Sequence, residues 1–395
     1  MKIAASVVAI SVLIYFGVQP AKCQDKVRAR DLGIPFEGIP GKFNAITDVR
    51  GVEVGYSTIV AGAGPLTAGK GPVRTGVTAI LPRGDDSIHT PTFAAWHSQN
   101  GFGEMTGTTS IEERGLLRGP VMITNTHSVG TVHEAVIAWR AKQGDPDAGG
   151  WWSLPVVAET YDGILNDVNG FHVRPKHVVE ALESSATGKI QEGNIGGGTG
   201  MVCYGLKGGT GTASRVLDEQ HGGFTVGVLV QANHGTHRQL LVAGVPVGNE
   251  LADDPELSKL LWKTENEQGS IIIVIATDAP LLPHQLKRIA RRATMGLART
   301  GSTSGNGSGD IFIAFSTANP NVRQDDGIAD IRMLPNERID PLFDATVHAT
   351  EEAILNALVA AETMTGIDGT RVNSLPHDEL RKILRKYNRL LESRE

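Results

Sequence analysis

Apolar positions fall in short, mostly unbroken runs set between glycine-rich turns, with a few stretches in which they recur at helical spacing. The runs predict strands over Val52 to Val54, Val77 to Leu81, Val121 to Thr124, Thr225 to Val230, Ile271 to Thr277 and Ile311 to Ser316. Several are continuously apolar rather than alternating, which implies strands covered on both faces. The periodic stretches predict three helices. His284 to Arg299 spaces Leu286, Ile289, Ala290, Ala293 and Leu297 along one face opposite Lys287, Arg288, Arg291 and Arg292. Ala345 to Thr365 is long and rich in Ala and Leu, and Asp378 to Leu391 is amphipathic and heavily charged. Buried strands between helical layers describe an α/β fold, and no repeat, heptad array or proline-rich linker divides the chain into more than one large domain.

The first residues follow a different pattern. Lys2 precedes an almost continuous apolar run from Ile3 to Val18, and Ala21, Lys22 and Cys23 follow it. This predicts a secretory signal over residues 1–23, with the mature chain beginning at Gln24 and lying in the periplasm or outside the cell. A retained anchor is the competing reading, but about 16 apolar residues is short for a membrane span, and Lys22 and Pro20 do not suit a lipoprotein site. No membrane contact is expected once the signal is removed. Cleavage there leaves Cys203 as the one thiol, so the fold is expected to stand without an internal disulfide.

Composition narrows the chemistry. A net charge of −6 provides no basic field for nucleic acid. The sequence contains no GxxxxGK[ST] loop, no GxGxxG leading into a helix, no HExxH and no GxSxG. The pairs His127/His133 and His234/His237 are read as turn or surface residues, so neither a metal nor a cofactor is expected. Glycine is over-represented, with 48 of 395 residues, and the sharpest cluster lies in Thr300 to Asp310, TGSTSGNGSGD, which runs directly into the apolar IFIAFST. A plain surface loop is the simplest account of it.

The alternative account is chemical. A serine freed at a new N-terminus carries its own general base, because an α-amino group has a pKa near 7.7 to 8.0. Such a site needs a cleavable loop that enters a buried strand. Ser302, Thr303, Ser304 and Ser308 are all eligible, and Ser308 is best placed because Gly307 precedes it and the strand begins within three residues.

The segment NGSGDIFIAFST around Ser308 resembles the self-processing serine aminopeptidases of the DmpA-like family, peptidase family S58, which includes L-aminopeptidase/D-esterases and β-peptidyl aminopeptidases. The resemblance extends over nearly the whole mature chain. It includes NAITDVRGVEVGYSTI (Asn44 to Ile59), VRTGVTAILPRG (Val73 to Gly84), NGFGEMTGTTSIEERGLL (Asn100 to Leu117), TNTHSVGTV (Thr124 to Val132) and LPVVAETYDGILND (Leu154 to Asp167). It continues through GGGTGMVCYGLKGGTGTASR (Gly196 to Arg215), VGVLVQANHG (Val226 to Gly235) and ATEEAILNAL (Ala349 to Leu358).

The resemblance implies a four-layer αββα sandwich like that of N-terminal nucleophile hydrolases. It implies self-cleavage between Gly307 and Ser308 into an α chain, residues 24–307, and a β chain, residues 308–395, both within one domain. Members assemble as tetramers of the α/β pair. By the same resemblance Ser308 is the nucleophile, Asn233 donates to the oxyanion, and Tyr161 hydrogen-bonds the nucleophile or the intermediate. Thr350 and Glu352, placed at the start of a helix, flank the new α-amino group. Some members carry Ser where this chain has Thr350, a difference expected to bear on substrate preference. Thr350 also reads as a helix N-cap, with Glu351 and Glu352 favouring the positive end of the helix, and Asn233 and Tyr161 read equally as turn residues.

The substrates implied are short peptides, amides or esters with a free amine, and Glu104, Glu159 and Asp162 are the candidate carboxylates for that amine. Trp151 and Trp152 read as a pocket wall or as an interface. Two other functions compete with the peptidase: a non-catalytic exported ligand-binding protein, and an acyltransferase on the same fold.

Overall fold

Along Ile271 to Ala276, successive side chains enter different cores. Ile271, Ile273 and Ile275 pack in one apolar cluster, and Ile272, Val274 and Ala276 pack in another. A strand has side chains pointing alternately to its two faces, so an unbroken apolar run belongs to a sheet with both faces covered. The structure, a computed structural model, describes residues 26–143, 152–262, 269–322 and 327–391. The predicted signal (1–23) and Trp151 lie outside the described residues.

In chain order the first strands are β1 (Glu53–Ala61), β2 (Val73–Asp85), β3 (Thr92–Gly101), β4 (Leu116–Leu117), β5 (Val121–Asn125) and β6 (Val156–Thr160). A short ribbon of β7 (Val202–Cys203) and β8 (Leu206–Lys207) follows, then β9 (Gly209–Val216), β10 (Thr225–Asn233), β11 (Ser270–Thr277) and β12 (Gly309–Ser316). A second ribbon pairs β13 (Met364–Thr365) with β14 (Arg371–Val372). The helices are α1 (Thr108–Arg114), α2 (Val129–Lys142), α3 (Pro175–Glu183), α4 (Val247–Asp253), α5 (Pro283–Arg299), α6 (Asp340–Val359) and α7 (His377–Lys386).

One sheet has the order β1-β2-β5-β6 and the other β4-β3-β12-β11-β10-β9. Between them lies a core that draws Val54, Ile80, Ile123 and Ala158 from the smaller sheet and Leu229, Ile272, Ile311 and Phe315 from the larger. Outside the smaller sheet, α2 and α3 cover Val77, Ala79 and Met122. Outside the larger, α5 and α6 cover Val228, Ile273 and Phe312, and α7 packs against α4. This is the expected αββα sandwich.

The predicted strands all occur, most of them extended at one or both ends. The helix predicted over His284 to Arg299 is α5, and the C-terminal one is α7, which ends at Lys386. The helix predicted over Ala345 to Thr365 is α6, shifted towards the N-terminus. It starts at Asp340, where Pro341 fits the first turn, and stops at Val359. Thr350 and Glu352 therefore lie inside the helix and not at its start, and Thr350 is not an N-cap. Four helices and several strands, β3, β6 and β9 among them, were not predicted, although α3 spaces its buried Val178, Ala181 and Leu182 at helical intervals. β9 reads GTGTASRV, yet every residue but the last is buried. A Cβ at Gly211 would collide with the Ala353 carbonyl of α6, so a small residue there lets the helix lie directly on the sheet.

Candidate active site

Ser308 sits where the loop from α5 enters β12, and it is fully buried. Its Oγ donates to Asp310 Oδ2 at 3.2 Å, and its N–H donates to the Gly305 carbonyl at 2.9 Å. The Asn100 side chain closes the turn by donating Nδ2 to the carbonyls of Gly305 and Ser308, each at 2.8 Å, and to Ser308 Oγ at 3.2 Å. Asp310 Oδ1 accepts from the Ile271 N–H at 3.1 Å. One buried carboxylate thus joins the first turns of β11 and β12.

The same end of β11 carries a second serine after a glycine. Gly269–Ser270 follows the polar sequence KTENEQ and leads into IIIVIAT, and Ser270 is 7% exposed. Ser270 Oγ accepts from the Gly309 N–H at 2.9 Å. On its other side Ser270 is the register partner of Asn233, the last residue of β10. A Cβ at Gly269 would collide with the Asn233 carbonyl, so the chain passes there only as glycine. Ser270 therefore has Asn233 on one flank and Ser308 with Asp310 on the other.

Asn233 is buried and its side chain is oriented at both ends. Its Oδ1 accepts from the Val202 N–H at 2.7 Å, and its Nδ2 donates to the Tyr161 carbonyl at 3.0 Å. An amide nitrogen carries two hydrogens, so one remains for another acceptor. The Tyr161 ring is 43% exposed and lies against Gly163. Tyr161 follows β6, in the smaller sheet, so this contact joins the two sheets at the site.

Of the three candidate carboxylates, Glu104 is exposed. Asp162 is fully buried, is held by Asn166 Nδ2 at 3.0 Å, and is pushed up to about 6 by burial. Glu159 is buried beside the serines. Its carboxylate accepts from the Thr126 hydroxyl and from the Glu104 N–H, and burial raises its pKa above the ordinary range. A Cβ at Gly103 would lie 3.2 Å from Glu159 Oε1 and 2.9 Å from Gly309 Cα. The two glycines let the backbones touch and leave the carboxylate one residue's width from the Ser308 turn. On the outer side, His127 stacks on Phe171 with ring centroids 6.1 Å apart.

The remaining sequence candidates have other neighbours. Thr350 is fully buried on α6 against Gly296 of α5, and its hydroxyl makes no hydrogen bond. The carboxylate of Glu352 is grasped by Arg30, Nε and Nη2 each at 2.8 Å, by Arg215 Nη2 at 2.7 Å and by Asn44 Nδ2 at 2.6 Å. None of these partners hydrogen-bonds Ser308 or Ser270. His234 is not at the surface: it is 1% exposed, against Tyr204 Oη at 3.2 Å and Cys203 Sγ at 3.7 Å, and burial lowers its pKa to about 3. Trp152 is exposed, with the Arg114 guanidinium 5.3 Å from its ring centre. Among the described residues no three His, Cys, Asp or Glu side chains converge as a metal group, and no helix is long and apolar enough to cross a membrane.

Asn100, Ser270 and Asp310 were not singled out from sequence. Ser270 has the local signal used for Ser308, a Gly–Ser pair before a buried strand, but a charged run precedes it where a glycine-rich one precedes Ser308.

Comparison with known proteins finds relatives over most of the chain. The family model described as "Peptidase family S58" matches residues 44–372. A β-peptidyl aminopeptidase of Sphingosinicella microcystinivorans is 56% identical over 92% of this chain and 93% of its own, and one of Sphingosinicella xenopeptidilytica is 47% identical over 91% of each. The solved L-aminopeptidase D-Ala-esterase/amidase of Ochrobactrum anthropi, described as a variant of the Ntn hydrolase fold, superposes with a TM-score of 0.84 at 50% identity, over 92% of this chain and 99% of that one.

Proposed function

The chain belongs to peptidase family S58 and is a serine aminopeptidase; from that premise we propose that it cuts itself between Gly269 and Ser270 and uses the freed Ser270 to release N-terminal residues. The observation that carries this reading is the place of Ser270 between Asn233 and the Ser308–Asp310 pair. Neighbouring strands lie about 4.8 Å apart, so Ser308, at the head of β12, is about 10 Å of backbone from β10. An asparagine amide on β10 reaches an oxyanion formed at Ser270 more readily than one formed at Ser308.

The same placement supplies the base. A free amine on Ser270 has Asp310 one peptide away, already bound to the Ile271 N–H, and the Ser308 hydroxyl beside it. That carboxylate orients the amine, which takes the Ser270 Oγ proton as Oγ attacks the substrate carbonyl. The free hydrogen of Asn233 Nδ2 meets the developing oxyanion. The amine then returns the proton to the leaving nitrogen, and water releases the acyl group by the same steps. Glu159 is the anchor for the substrate's own ammonium.

The names of the relatives favour β-amino acyl and L-amino acyl amides as substrates. Export after loss of residues 1–23, and assembly of the processed pairs into tetramers, belong to the same reading.

The test is a denaturing gel of purified protein with N-terminal sequencing of the smaller band. The expected start is Ser-Ile-Ile-Ile, and Ser270→Ala is expected to remain one inactive chain. A start of Ser-Gly-Asp-Ile returns the nucleophile to Ser308, and an uncut chain with full activity overturns self-processing altogether.

A further inference from the structure

Lys207, on β8, is fully buried, and no carboxylate pairs with it among the described residues. Its ammonium donates instead to three main-chain carbonyls: Met201 at 2.8 Å, Gly208 at 2.9 Å and, more weakly, Gly198 at 3.4 Å. Burying a cation without a counter-charge is costly, and carbonyl dipoles offset the loss of water only in part. An apolar side chain of similar length would fill the space at less cost. What the ammonium contacts offers a reason for it.

The Met201 carbonyl and the Val202 N–H belong to one peptide group. Lys207 Nζ donates to the first at 2.8 Å, and the second donates to Asn233 Oδ1 at 2.7 Å. From the lysine the line runs ammonium, peptide, side-chain amide, and it ends at the Nδ2 hydrogens. Hydrogen bonds in series polarise one another: pulling electron density towards the carbonyl makes the N–H a stronger donor, and a stronger bond at Oδ1 makes Nδ2 more acidic. Burial pushes the Lys207 pKa down to about 7. Protonated or neutral, the amine donates to the Met201 carbonyl, and where it carries its proton the charge at the head of the line strengthens the donor at its far end as negative charge appears there.

We infer that Lys207 is a positioning residue of the peptidase, which orients and polarises Asn233 through the Met201–Val202 peptide. This rests on the reading of Asn233 as the oxyanion donor. It is distinct from a merely structural part in closing the Gly198–Gly208 turn. A structural part reduces stability whatever stands at position 233, whereas the relay reduces turnover only while the asparagine is present.

The test is a double-mutant cycle on the full chain with Lys207→Gln, Asn233→Ala and the pair, read as kcat and KM on a free-amine amide and normalised to the processed fraction on a gel. Lys207→Gln is expected to lower kcat about tenfold with KM within about twofold, and to cost less than about twofold further once Asn233 is alanine. An equal loss in both backgrounds, or an unchanged kcat in the Lys207→Gln protein, overturns the inference while leaving Asn233 in its role. Full kcat in Asn233→Ala overturns the oxyanion reading and the relay with it. Val202→Pro guards against a misfolded lysine variant, because it deletes the middle N–H and leaves Lys207 in place. The same loss of kcat is expected there, and full kcat would again overturn the relay.

Discussion

Glu159 presents a carboxylate that burial has already made reluctant to ionise, held by the Thr126 hydroxyl and the Glu104 N–H and set beside the Gly103–Gly309 contact. In the proposed reading a substrate ammonium restores the ionised form. A charge-assisted hydrogen bond contributes about 1.5–3 kcal/mol, so Glu159→Gln is expected to raise KM for free-amine substrates by roughly ten- to a hundredfold, with a smaller change in kcat. The sign of the pH effect follows from the raised pKa. Affinity is lost as pH falls through a value above the usual glutamate range, and in Glu159→Gln that limb of the KM profile should flatten. An unchanged KM in the variant would remove Glu159 as the anchor. At this scale the sequence carried the residue types and not the pairings. Ser308 was legible because a glycine-rich loop enters an apolar run there, and Asn233 only through the family resemblance. Ser270 shares the Gly–Ser step before a buried strand but follows a charged run instead of a glycine-rich one, and nothing local marks Asp310; what sets both apart is the alignment of β10, β11 and β12 at one end of a sheet.

Elements show the same division between what local pattern determines and what packing decides. α5 was legible because its outer face is charged and its inner face apolar, whereas β9 and β3 owe their place to neighbours that tolerate glycine, threonine and polar side chains. α6 was legible as a helix, but its start depends on Pro341 and so does the setting of Thr350. In mid-helix, against Gly296, the Thr350 hydroxyl is buried without a partner. Leaving such a group unsatisfied costs about 1–3 kcal/mol, and valine has the same shape without it. Thr350→Val is therefore expected to match or exceed the parent in urea unfolding and to keep its activity. Loss of turnover with stability intact would instead return Thr350 to the catalytic group.

At the scale of the whole molecule, the segment before β1 is tied to the helical layer by charge. Arg30 forks onto Glu352, Arg215 meets the same carboxylate from β9, and Asn44 adds a fourth contact. Glu352 and Arg215 are each 1% exposed, so solvent screens their pairing little. Burial alone would raise the Glu352 pKa, but the Arg30 hydrogen bonds, the charges of Arg215 and Arg30 and the Asn44 contact outweigh it, and the net shift is downwards. A depressed carboxylate stabilises the fold above its unfolded pKa, near 4.3, and loses that contribution as pH falls through the lower folded value. Removing one member of a buried ionic group strands the others, at a cost of about 3–5 kcal/mol. Glu352→Gln should therefore unfold at lower urea than the parent at pH 7, and the gap should narrow as pH is lowered below about 4. If Glu352 is this tie and not a partner of the nucleophile's amine, the variant that remains folded at pH 7 processes itself and turns over substrate with the parent's pH profile. A displaced alkaline or acid limb in that folded fraction would place the carboxylate back in the chemistry.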